Sequence, residues 1–238
     1  MTVMEIVGAM LVYCISVTVQ GTVGFGANML AVPILALINP DFVPGPVLLM
    51  NPLMNAIFTI RERGNVDRFG LTWALIGRTP GMLAGVLALT IVAEERLGTL
   101  FGVLVLLAVG MKVSGLHPTR NRRSLLIAGG LSGFMGTTVA VGGPPIALMY
   151  HDVPGAVMRA TLSPYFLIGT PLAIGALAVA GRFGTGDLLI AAWLVPALLV
   201  GAAISHPLRG TMDRGWIAPA VYALSSAGAL TLLIRSLV

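Results

Sequence analysis

Charge is what this sequence has least of. Of its 238 residues, 10% are Asp, Glu, Lys or Arg, while 57% are hydrophobic. A soluble domain carries about 25% charged residues, because a polar shell must cover its surface. The 14 basic and 9 acidic side chains here are too few for that. Most of the outside must therefore face lipid, and the length fits one compact bundle. Cysteine is almost absent as well. Cys14 stands alone in an apolar stretch, which leaves no intrachain disulfide and no cysteine metal spacing. The first apolar stretch has neither a basic leader nor an obvious small-residue cleavage site, so no cleaved signal peptide is expected.

Carboxylates are missing from the apolar stretches. Glu5, Asp41, Glu62, Asp67, Glu94, Glu95, Asp152, Asp187 and Asp213 all fall at their ends or between them. A cation carrier or a midplane proton relay normally needs a carboxylate inside the bundle. This argues against sodium or metal ions as the main cargo. Also missing are a nucleophile–base constellation, a phosphate loop and metal-ligand spacing, so neither an enzyme nor a cofactor is expected. His117, His151 and His206 are isolated from one another in sequence and read as packing or interfacial residues. The net charge is +5, but the basic residues are spread thinly between apolar runs. They form no patch for nucleic acid. In a membrane protein such an excess marks cytoplasmic loops.

What is present is a series of about eight apolar segments, over residues 4–37, 43–60, 70–92, 97–115, 124–150, 156–180, 187–205 and 216–235. Trp73 and Trp216 stand at segment starts, as interface anchors do. Crossing a bilayer takes about 20 helical residues, and six segments fit one span each. The first has 34 residues. Wholly helical, it would be about 51 Å long, too much for one span and too little for two. It carries Gly21, Gly24, Gly26 and Pro33 in its course, and the fifth carries Gly133, Gly136, Gly142, Gly143, Pro144 and Pro145. Breaks at membrane depth are tolerated only where they face protein or a wet cavity.

Two arrangements follow. Either all eight segments cross and the halves are parallel, or segments one and five are re-entrant hairpins and the halves are inverted. Loop charge weighs the two. Eight crossings put nine Arg/Lys on one side against four on the other. Hairpins give ten against three, the three being Arg96, Arg182 and Arg235. The expectation is therefore an all-α integral membrane fold with inverted repeats and both termini outside.

The halves, 1–117 and 118–238, share a register within one transmembrane domain. Shifted by 112, Gly21 meets Gly133, Gly24 meets Gly136, Pro33 meets Pro145, and Asn51-Pro52 meets Ser163-Pro164. At a shift of 116, Pro80 meets Pro196 and Gly85 meets Gly201. Duplication of this kind is typical of transporters, whose site lies between the repeats near the midplane.

The candidate site follows from the breaks. Gly24, Phe25 and Gly26 precede Asn28, where a half-helix would begin with unpaired amides and a dipole favouring an anion. In the other half Gly136, Thr137 and Thr138 hold the equivalent stretch. Asn51 and Asn55 lie one helical turn apart and share a face; Ser163 lies at comparable depth. Arg78 stands about eight residues, roughly 12 Å, into segment three, where a cation is costly and usually functional. Arg159 is nearer a helix start and reaches either headgroups or the second break. Against these readings stand glycines used for close helix packing, polar residues used for interhelical hydrogen bonds, and a snorkelling Arg78.

The motifs Gly24-Phe25-Gly26-Ala27-Asn28, Val32-Pro33 and Arg61-Glu62-Arg63-Gly64-Asn65-Val66-Asp67 recur in kind as Gly133-Phe134-Met135-Gly136-Thr137-Thr138, Gly142-Gly143-Pro144-Pro145-Ile146 and Arg159-Ala160-Thr161-Leu162. In order and spacing they resemble the sulfite exporter TauE/SafE family over nearly the whole chain. The resemblance implies a duplicated multi-pass bundle in the bacterial inner (cell) membrane that exports sulfite, organosulfonates or related sulfur anions. The family's first motif usually continues in glycines where Ala27-Asn28 stand here. The expected partners are a small anionic solute and the lipid bilayer, and a homo-oligomer is compatible with both. The alternatives are a passive anion channel and a membrane scaffold or accessory subunit without transport.

Overall fold

Breakers and caps set the helix boundaries. The computed structural model describes residues 1–23, 26–62, 64–93, 96–208 and 217–237. Among them run α1 (Val3–Val23), α2 (Ala27–Ile38), α3 (Gly45–Arg61), α4 (Arg68–Ile91), α5 (Leu97–Val113), α6 (Arg122–Val139), α7 (Gly143–Ala147), α8 (Gly155–Val179), α9 (Thr185–Leu208) and α10 (Ile217–Leu237). Asp67 caps α4 by accepting from the Gly70 amide at 2.9 Å, and Asn121 caps α6 through Ser124 at 3.0 Å. Such caps satisfy amides that have no partner inside the helix. Gly26, at φ 101°, precedes α2, and Ala140, at φ 56°, ends α6. The first and fifth apolar segments therefore each fall into two helices, which is why the helix count exceeds the segment count.

Five helices are long and apolar enough to cross a membrane: Val3–Thr22, Pro40–Arg61, Arg68–Ile91, Gly155–Val179 and Thr185–Leu208. Their outer faces carry exposed apolar side chains such as Leu11, Leu87, Leu172 and Leu189. An apolar outside is what a lipid-facing bundle requires.

The main helix pairs are α4 with α6, α1 with α9, α3 with α8, and α5 with α10. The α4–α6 seam is built on glycine. A Cβ on Gly77 or Gly81 would run into the backbone of Leu126 or Gly130, and one on Gly129 or Gly133 into that of Ala74 or Arg78. Spacing by four brings these small residues onto one face of each helix, so the backbones meet directly. Gly133, a candidate for the break, is thus a packing glycine.

Contacts at the helix ends define two ends of the bundle. At one, Gly8 of α1 lies against Ile38 of α2, with a Cβ position 3.7 Å from Ile38 Cδ1. Thr99 of α5 and Ser236 of α10 share a hydrogen bond of 2.8 Å, and Arg182 donates to the Thr90 carbonyl at 3.3 Å. At the other end, Arg120 pairs with Asp152 at 3.2 Å, and the Tyr150 hydroxyl donates to Asp67 at 3.3 Å. Arg159 pairs with Glu62 there at 3.1 Å.

Candidate functional site

Three helix interruptions meet around one small cavity. It has a volume of about 30 Å³ and is lined by residues of α1, α2, α3, the α6–α7 link and α8, among them Gln20, Asn28, Asn51, Asn55, Ala140 and Phe166. That is room for about two water-sized groups, which limits a guest in this conformation to a few non-hydrogen atoms.

Asn28 ties the cavity together. It lies in the first turn of α2, and its Nδ2 donates to Asn51 Oδ1 at 2.9 Å and to the Ala140 carbonyl at 2.7 Å. Asn28 Oδ1 is buried without a hydrogen-bond partner among the described residues. Asn55 donates to the Asn51 carbonyl at 2.8 Å, the carbonyl left one turn above it in α3. The Ala27 amide at the start of α2 donates to Gln20 Oε1 at 3.0 Å. Gly26 also lines the cavity, and its positive φ lets the chain turn from α1 into α2. No charged side chain is in the lining.

The charge lies just behind it. Arg78 on α4 is only 3% exposed. Its Cζ sits 4.9 Å from the Tyr165 ring centroid and 5.4 Å from that of Phe166. Its Nε and Nη1 have no hydrogen-bond partner among the described residues. A Cβ on Gly169 would collide with its Cδ and Nε, and one on Gly136 would lie 3.4 Å from its Nη2 and 3.5 Å from Gly142 Cα. The guanidinium therefore occupies a seat that two glycines leave open. A buried cation without a carboxylate is costly unless an anion meets it.

The structure thus brings together Gly26, Asn28, Asn51 and Asn55 at the cavity, with Arg78 and Gly136 behind its wall. The other candidates stand elsewhere. Thr138 donates to the Phe134 carbonyl of its own helix at 2.8 Å, and Thr137 is buried beside Gly85. Ser163 is buried on α8 outside the lining. Arg159 is engaged with Glu62 and does not reach the cavity. Gly24 and Phe25 lie outside the described residues. Sequence reading missed Gln20, Ala140, Phe166 and Gly169. Gln20 carried a signal, as an amide in an apolar run one turn before a break; an alanine, a phenylalanine and one more glycine carried none.

Asn28→Asp tests the bridge without changing its size. The carboxylate cannot donate to Asn51 or Ala140 and leaves both acceptors buried. We expect a loss of about 1–3 kcal/mol in unfolding stability in detergent. An unchanged melting curve would mean the two hydrogen bonds contribute nothing net.

Long apolar helices around a small polar cavity are the build of a multi-pass membrane protein. The model of the family described as sulfite exporter TauE/SafE matches residues 9–232, nearly the whole chain. The chain belongs to this family of membrane transporters, as the motifs in its two halves implied. No curated protein and no solved structure matches it.

Proposed function

We propose that the protein transports a small sulfur-containing anion, such as sulfite or a short organosulfonate, across the inner membrane, and that the anion binds between two inverted repeats, 1–117 and 118–238. The observation that carries the anion reading is Arg78: a buried guanidinium with unpartnered nitrogens, beside a cavity of amide groups and no carboxylate. A cation would be repelled from this site, and a neutral solute would leave the charge unpaired. The cavity volume favours an ion the size of sulfite over a longer sulfonate in this conformation.

The helix contacts support the repeat. Exchanging the halves turns the α1–α9 pair into the α6–α4 pair and leaves α3–α8 and α5–α10 as they are. The hydrogen bond from Asn28 to Ala140 joins positions 112 apart, the shift that aligns the halves. Equivalent residues touch only close to an axis relating the repeats. Segment one starts and ends at the Gly8–Ile38 end, and segment five at the Arg120–Asp152 end. Both are thus re-entrant in this reading, and each half has three crossings. The end with Arg61, Arg68, Arg120, Arg122, Arg123 and Arg159 faces the cytoplasm by its charge.

The test is flux of sulfite from liposomes containing the purified protein. Saturable efflux that other small sulfur anions inhibit supports a carrier. Single-channel currents would turn the reading into a channel. Absence of both flux and binding would leave an accessory subunit.

A further inference from the structure

The cavity and the cation are separate in this structure, and very little separates them. One barrier is the Phe166 ring, which lines the cavity while its π-face holds the Arg78 guanidinium at 5.4 Å. The other is the backbone contact between Gly142, also in the lining, and Gly136, which lies against Arg78 Nη2. Backbone packed between two helices cannot yield cheaply; a side chain turns about χ1 and χ2. Resting on the anion reading above, we infer that Phe166 is the gate of the site: its ring caps Arg78 when the cavity is empty, and its displacement opens the guanidinium to the anion.

The exchange is balanced chemically. The ring offers the cation only its quadrupole. An oxyanion offers charge-assisted hydrogen bonds to Nε and Nη1, the nitrogens now without partners. The anion therefore competes favourably with the ring for the same group. The Asn28, Asn51 and Asn55 amides then meet the anion from the opposite side, and the merged space is larger than the present cavity. Phe166 is only partly buried, so its ring has room to leave.

Its helix is suited to such a movement. Pro164 and Pro171 lie within α8 on either side of Phe166. Each removes a backbone hydrogen bond, to the carbonyls of Ala160 and Leu167, so this stretch bends more easily than the rest of the helix. Displacement of the ring also sets a size limit, because an anion too small to reach both walls does not hold the gate open. Phe166 is in this sense a specificity-determining residue, and its effect runs through Arg78.

Calorimetric titration of the purified full-length protein with sulfite tests this in Phe166→Ala, Phe166→Leu and Phe166→Trp, each alone and combined with Arg78→Gln. Smaller side chains should tighten sulfite binding about tenfold, and Phe166→Ala should admit 2-aminoethanesulfonate. The larger Trp should weaken sulfite about tenfold. These changes should vanish when Arg78 is Gln. Gains that persist without Arg78, or no gain in either Ala or Leu, overturn the gate.

A second measurement is independent of sulfite. In a Cys14→Ala background, Arg78→Cys should react with an anionic sulfonate thiol reagent about tenfold faster when Phe166 is Ala. An equal rate sinks the gate even if sulfite is carried. If wild-type protein binds no sulfite while the thiol rates differ as expected, the substrate reading fails and the gate stands.

Discussion

Arg78→Met is expected to lower sulfite transport at least about 100-fold while leaving the folded protein as stable as the wild type or more so. The two halves of this expectation have one cause. The guanidinium is 3% exposed, and neither Nε nor Nη1 has a hydrogen-bond partner among the described residues. Taking a charge out of water costs several kcal/mol, and only the faces of Tyr165 and Phe166 offset it here. Methionine fills similar space without the charge, so the empty protein loses the stacking and is relieved of the desolvation cost. The anion loses its only buried cation among the described residues, a loss of about 2–5 kcal/mol in comparable buried pairs. Arg78→Lys keeps the charge but not the planar fork, and should retain part of the activity. Vesicle flux and a thermal scan on the same preparations read both quantities. A variant that transports normally, or one that loses activity only because it unfolds, refutes the assignment of Arg78 to the site.

Gly81→Leu is expected to have the largest effect on folding. A Cβ at Gly81 runs into the backbone of Gly130, and a backbone carbonyl cannot turn aside as a side chain does. Overpacking a core usually costs about 1–3 kcal/mol; separating two backbones along the α4–α6 seam should cost more than 3 kcal/mol, because Gly77, Gly129 and Gly133 lose contact together. The measurement is the yield and unfolding midpoint of the variant in mild detergent. The control is Gly110→Leu on α5, where a Cβ meets nothing within 4 Å. If both variants behave alike, the seam does not depend on glycine. Gly81→Leu should also move Arg78, whose carbonyl packs on Gly133, so loss of transport there reports the scaffold and not the anion.

Much of this protein was legible in its residues. The shortage of charge required lipid contact, and it did so whatever the order of the helices, because hydropathy adds up along the chain. The glycines and prolines marked where the first and fifth segments break, since backbone freedom belongs to single residues. Asn28, Asn51, Asn55 and Arg78 stood out as polar groups at depths where polarity is costly, and all four lie in or beside the cavity region. The family followed from the order of short motifs and is shown over residues 9–232.

Other assignments depended on how the helices are turned. Gly133 and Gly136 read alike in sequence, yet one packs on the Arg78 carbonyl and the other borders its guanidinium. Arg159 and Arg78 are both arginines near helix interiors, yet Arg159 meets Glu62 and Arg78 meets two aromatic rings. Phe166 looked like any core aromatic until α8 was set against α4. Composition and local pattern determined that the chain lives in a membrane, where its helices break and which of its groups are costly. The rotation and register of each helix decided which of those groups meet, because they are set by close packing along seams such as α4–α6, between residues far apart in the chain.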